Sequence, residues 1–169
     1  MPFWRSFAHL VWTTKDREPW IPAAFEPQLY AQMVDAVAQL GCYVYAINGM
    51  ADHVHVVLAI PPKHSVAHVV KILKGSSAHF VNHVLQPDGY HFQWQRGYGY
   101  LSLGQRQLAR AMAYVERQKE HHAQQTINRW LERVVEQDDG PDDNGSSVAS
   151  PDVLREDIIP YDVGTEWPF

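Results

Sequence analysis

The amino-acid sequence predicts an α+β domain with elements in the order β-α-β-β-α-β, followed by a further long helix. Two patterns lead there. Short β-rich apolar blocks fall at 6–14, 42–50, 53–60 and 98–103. The intervening apolar residues recur instead at helical steps, from Phe25 to Leu40 and from Val66 to Val84.

"SFAHLVWTT" (6–14) opens the domain as a strand, and "KDREPWIPA" follows as a loop in which two prolines bar regular structure. Phe25, Leu29, Met33, Val37 and Leu40 form one face of the first helix, which Gly41 stops. "CYVYAINGM" (42–50) and "HVHVVLAI" (53–60) are strands whose short connection makes them a hairpin, and Pro61-Pro62 ends the second. Ser65 is the N-cap of the next helix, with Val66, Val69, Val70, Leu73, Phe80, Val81 and Val84 on its apolar face. "QPDGYHFQWQRG" (86–97) is a loop and "YGYLSL" (98–103) a fourth strand. A long helix runs from about Gln105 into the 120s, with Leu108, Ala111, Met112 and Val115 as its buried stripe, and resumes through "INRWLERVV". The first six elements match the ferredoxin-like split βαβ order. That arrangement places both helices on one face of an antiparallel sheet and leaves the other face free for a ligand or partner.

The 169 residues suit one domain with a tail, and 46% hydrophobic content, six Trp and eight Tyr supply a real core. A single cysteine, Cys42, rules out an internal disulfide and fits a reducing compartment. The first residues lack the apolar stretch of a signal peptide, and no run approaches the roughly 18 apolar residues of a membrane span. A cytoplasmic protein without a membrane partner is the expectation. The formal charge of −5 is unevenly spread: residues 1–133 carry 13 Lys/Arg and 9 Asp/Glu, whereas 134–169 carry one Arg and ten Asp/Glu. The body (1–133) is mildly basic, and the acidic tail (134–169), almost without apolar residues over 136–152, is expected to be largely disordered.

His53 and His55 stand two positions apart in the third strand, so both project from one face, while Val54, Val56, Leu58 and Ile60 point to the other. Two imidazoles at that spacing can chelate a divalent cation. In a chain with ten histidines such a pair also arises by chance. Asp52 can ligate or orient a ligating histidine, or be no more than a turn residue. A third ligand must come from elsewhere. On the last helix Tyr114, Gln118, His121 and His122 share one face by i+3 and i+4 steps. That face is polar for a packing surface, and a solvated patch around a half-exposed tyrosine is the plain alternative.

Four stretches, "HLVWTTKDREPWI" (9–21), "NGMADHVHVVLAIPP" (48–62), "VVKILKGSSAHFV" (69–81) and "FQWQRGYGYLSL" running on to "YVERQKEHH" (92–122), resemble in order the HUH single-tyrosine transposases of small bacterial insertion sequences. These are the IS200-like transposases, with the repeat-associated tyrosine transposases among them. HUH denotes His-hydrophobe-His, here His53-Val54-His55. The resemblance implies a ferredoxin-like fold and cleavage and rejoining of single-stranded DNA at hairpin-containing element ends. It makes Tyr114 the nucleophile that forms a 5′-phosphotyrosine, and His53, His55 and Gln118 the ligands of magnesium or manganese. It also implies a homodimer, with the tyrosine helix acting in cis or in trans. His121 and His122 are candidates by proximity for the group that deprotonates Tyr114, or for the metal's surroundings.

For the nucleic acid, "HFQWQRGYGY" interleaves Trp94, Arg96 and Tyr98 as stacking and cationic groups, and Lys71 and Lys74 are candidate phosphate contacts. Equally, the aromatics pack the fourth strand and the lysines lie on a solvated helix face. Arg5, Lys15 and Arg17 are weaker candidates. The acidic tail is not part of the family's pattern. Two rivals remain: a non-catalytic or domesticated nucleic-acid-binding ferredoxin-like module, with Tyr43 and Tyr45 on one face, and a metal-dependent nuclease that uses water.

Overall fold

The computed structural model describes residues 3–86 and 91–128. The acidic tail and most of the segment "INRWLERVV" lie outside them. Strand β1 (Phe7–Thr13) leads through a 3-10 turn at Lys15–Arg17 to helix α1 (Glu26–Ala38). The hairpin of β2 (Tyr43–Met50) and β3 (His53–Ala59) follows, then α2 (Val66–Phe80), β4 (Gly99–Leu103), α3 (Leu108–Glu116) and α4 (Gln118–Gln124). The sheet order is β2-β3-β1-β4 with every neighbouring pair antiparallel, the ferredoxin-like arrangement.

Local chemistry places the elements. α1 buries Leu29, Met33 and Val37, one turn apart, against the sheet, and Gly41 takes the left-handed conformation (φ 77°) that turns the chain into β2. Ser65 caps α2 by accepting from the His68 backbone N–H at 3.2 Å. Gly49 is required by contact: a Cβ there would lie 2.1 Å from the His53 carbonyl oxygen, because the hairpin brings the two strands' backbones together.

Every residue of β1 and of β3 is buried, on both faces. Two cores explain this. One packs Leu10, Trp12, Val54, Val56 and Leu58 against α1 and α2. The other, on the opposite side of the sheet, packs Phe7, Val57 and Leu103 against Leu108, Ala111 and Val115 of α3. The sequence-based expectation of a sheet face left free is therefore corrected: α3 covers it. A further correction concerns the last helix, which is not continuous. It breaks at Arg117 (φ −95°, ψ 16°) into α3 and α4. No proline or glycine marks the break, so nothing in the local sequence announces it.

Candidate active site

The register sets the site. His55 of β3 pairs with Val11 and His53 with Thr13, so both imidazoles emerge on the α3 side of the sheet while Val54 and Val56 enter the opposite core. Under α3 and α4 they are not exposed: His53 retains 2% of its accessible surface and His55 none. Their rings meet edge to face, centroids 5.2 Å apart.

Each histidine is gripped at Nδ1. His53 Nδ1 lies 2.6 Å from Asp52 Oδ1, and Asp52 Oδ2 in turn accepts from Arg17 at 3.2 Å. Arg17 reaches back because Asp16 and Arg17 both adopt left-handed backbone (φ 56° and 55°), a conformation that costs such residues about 1–2 kcal/mol each. The Thr14 backbone N–H pins the same corner by donating to the Asp52 carbonyl at 2.8 Å. Burial works to raise the Asp52 carboxyl, but the hydrogen bond and charge of His53 and the Arg17 guanidinium together hold it below the usual carboxylate range. His55 Nδ1 lies 3.0 Å from Nε2 of His9, a β1 residue 1% exposed. A cation would therefore meet the Nε2 atoms of both rings.

The late helices bring the remaining groups. The Tyr114 ring on α3 stands edge-on to His55 with centroids 6.2 Å apart, in the same chain. His122 of α4 lies against His53, centroids 4.9 Å apart. Gln118, wholly buried, opens α4 just past the break at Arg117, one turn before His122. His121 stacks on Tyr114 at 4.7 Å and 20°, and the Tyr114 oxygen accepts from the Asn128 backbone N–H at 3.1 Å. Two tertiary bonds seat the helices: Asn48 of β2 donates to the Glu116 carbonyl, and Lys119 pairs with Glu26 at the start of α1. Among the described residues no three His, Cys, Asp or Glu side chains group as a cation site. Gln118 adds a wholly buried side-chain amide at the start of α4. Two imidazoles and an amide oxygen suit a divalent cation whose other positions are open to water and phosphate oxygens.

Comparison with known proteins agrees with this layout. The profile of the family "Transposase IS200 like" matches residues 3–118. The chain belongs to the IS200-like transposase family. The ISDra2 transposase TnpA of Deinococcus radiodurans is 36% identical over 70 residues, which make up 41% of this chain and 50% of that protein. The chain thus matches about half the length of that relative. A crystal structure of a candidate transposase from the same bacterium superposes with TM-score 0.54 at 28% identity, covering 70% of this chain and 95% of that one. A REP-associated tyrosine transposase bound to a REP hairpin shares the fold, with TM-score 0.55 at 11% identity over 72% of this chain and 74% of its own.

The residues of this IS200-like chain singled out for nucleic acid lie on α2 and on the 91–98 segment packed beside it. Lys71 and Arg96 are exposed. The Lys74 ammonium donates to the carbonyls of Gln95 and Gly97 and ties the 91–98 segment to α2. Trp94 is half-buried, meets Trp12 and Phe92 edge to face and donates to Ser77 Oγ at 2.8 Å, and Tyr98 packs against the same core. For Trp94 and Tyr98 the packing alternative describes these contacts. Tyr43 and Tyr45 do share a face, where a bulge at Val44/Ala46 sets both beside the α3-side core, Tyr45 against Phe7. Sequence reasoning missed His9 and Asn128 as members of the site. A lone histidine inside an apolar strand was the one available signal for His9. Nothing local marks a backbone N–H such as that of Asn128. Among the described residues no helix is long and apolar enough to cross a membrane.

Proposed function

We propose that the protein cleaves and rejoins single-stranded DNA through Tyr114, with a divalent cation, magnesium or manganese, held by His53, His55 and Gln118. The observation that carries this reading is the placement of the Tyr114 ring 6.2 Å from that of His55 within one chain. Family membership supports DNA transposition as the process.

His53, His55 and Gln118 would hold the cation, which would supply charge neutralisation at the scissile phosphate. The chain's own residues do the rest. Asp52 and His9 hold the two imidazoles in orientation, and the cover of α3 and α4 keeps bulk water from them. The Tyr114 oxygen attacks phosphorus, the bond from phosphorus to the 3′ oxygen breaks, and a 3′ hydroxyl leaves. The proton given up by the phenol is balanced by the proton gained at that hydroxyl. A phenol with a pKa near 10 is a poor nucleophile at neutral pH, and the Asn128 N–H directed at its oxygen favours the developing phenolate. His121 lies flat against the Tyr114 ring, so in this conformation it supports the ring by stacking rather than by presenting a nitrogen to the oxygen. One phosphate ester replaces another, and the reverse attack by a 3′ hydroxyl rejoins strands without ATP.

Hairpin-bearing single strands are the substrate we propose, in line with the hairpin held by the REP-associated relative. A homodimer belongs to the same proposal, and sedimentation equilibrium tests it. The decisive assay incubates the protein with labelled single-stranded DNA and magnesium or manganese, then denatures it. An adduct that survives denaturation and is lost in Tyr114→Phe is the expected result. Cleavage without an adduct would indicate a nuclease that uses water, and binding with neither would indicate a nucleic-acid module.

A further inference from the structure

His9 is out of character with its strand. It lies in the run Phe7–Thr13, is 1% exposed, and points to the same side of the sheet as Phe7 and His55. An imidazole buried there is costly unless it is hydrogen-bonded. Its partner is His55: Nε2 of His9 lies 3.0 Å from Nδ1 of His55, the ring planes agree within 5°, and the centroids are 5.2 Å apart. Nitrogens this close in parallel rings cannot belong to rings stacked face on face. The rings meet edge to edge in a shared plane, the geometry of an in-line N–H···N hydrogen bond.

A single proton lies between the two nitrogens, and its position decides what His55 can do. If His9 Nε2 carries it, neutral His55 holds its own proton on Nε2 and has no lone pair there for a ligand. If His55 Nδ1 carries it, His9 Nε2 accepts, and the His55 lone pair is on Nε2, toward the Tyr114 side. The metal reading above requires the second form, since both rings must then present an Nε2 lone pair to one cation, and His53 already has its counterpart. His53 Nδ1 faces a carboxylate, which only accepts, so His53 donates from Nδ1. We infer that His9 is a positioning residue for His55, a neutral acceptor that fixes the Nδ1–H tautomer and ring plane as Asp52 does for His53. The inference deepens the metal reading above and rests on it. It also makes the two ligands unequal, because one is backed by a carboxylate and the other by a neutral ring.

Two measurements on the full chain test this. In the metal-free protein with 15N-labelled histidine, long-range 1H–15N correlations report the His55 tautomer, and Nδ1–H is the expected result. His55 protonated on Nε2 overturns the inference, and this measurement needs no variant. Titration with Mn2+ is the second. His9→Leu is expected to weaken binding by about 10–100-fold and to release the His55 tautomer into a mixture. His9→Gln, whose amide oxygen can accept in place of Nε2, is expected to recover most of the affinity and the Nδ1–H form. Unchanged affinity and tautomer in His9→Leu overturn the inference. Wild-type protein that binds no Mn2+ but shows the Nδ1–H form of His55 overturns the metal reading and leaves the hold of His9 on the ring standing.

Discussion

Asn48 on β2 donates its side-chain amide to the carbonyl oxygen of Glu116, the last residue of α3, at 3.0 Å. The Glu116 carbonyl is among those a helix end leaves without an intrahelical donor. Asn48 supplies one at the break between the helix of Tyr114 and the helix of Gln118, and since it pairs with His55 across the β2–β3 ladder it ties that break to the strand of the histidines. Asn48→Ala is expected to cost about 1 kcal/mol of stability and to slow adduct formation more than it weakens binding of single-stranded DNA. Single-turnover adduct assays beside filter binding measure the difference, and an unchanged adduct rate would refute the tie.

Nucleophile and ligands are separable. Tyr114→Phe is expected to abolish the covalent adduct while Mn2+ still binds. His53→Ala, His55→Ala and Gln118→Ala are each expected to reduce Mn2+ affinity by at least about tenfold and to lose the adduct as well. Because two of the three proposed donors are imidazole nitrogens, Mn2+ is expected to bind more tightly than Mg2+. Calorimetric titration with each ion checks this, and tighter binding of Mg2+ would argue against nitrogen ligands.

Gly49 guards the position of His53. A Cβ at 49 meets the His53 carbonyl oxygen at 2.1 Å and the Val54 Cα at 2.9 Å, and both are backbone, with no rotamer to move aside. Gly49→Ala is expected to destabilise the domain by about 1–3 kcal/mol and to weaken Mn2+ binding, because the strand has to shift where the first imidazole is mounted. Gly75→Ala is the control: a Cβ there meets nothing within 4 Å, so metal affinity is expected to stay as in the wild type. Urea denaturation and Mn2+ titration on both variants decide the matter.

Cys42 links stability to alkaline pH. The thiol is buried, and burial pushes its pKa up. Below the ordinary thiol value both folded and unfolded chains hold the proton, and stability does not depend on it. As pH rises through about 8.5 the unfolded chain releases a proton the folded chain retains, so stability falls. Cys42→Ala is expected to flatten this decline in denaturation midpoints between neutral and alkaline pH, and the native thiol is expected to react with a thiol reagent far more slowly than the unfolded one. Parallel curves for the two proteins would count against the account.

Much of this architecture can be read along the chain, because strand and helix periodicities are local. Alternation alone puts His53 and His55 on one face and Val54, Val56 and Leu58 in the core against α1 and α2. Helical spacing alone aligns Gln118 with His122, whereas their relation to Tyr114 crosses the break at Arg117. The β-α-β-β-α-β order, the cap at Ser65 and the stop at Gly41 are legible for the same reason. What covers the histidines is not. Burying Leu108, Ala111 and Val115 requires an apolar surface, and which surface they meet depends on how the chain returns over the sheet. The break at Arg117 comes with that docking and carries no proline or glycine to signal it. The engagement of Lys74 by the carbonyls of Gln95 and Gly97 likewise depends on where a loop comes to rest. His9 and His55 are 46 residues apart, and only the pairing of β1 with β3 brings their nitrogens together. Sequence by itself determined which side chains share a face. Tertiary structure alone decided which faces meet, since strand register and helix docking are settled by contacts between distant segments that no local period encodes.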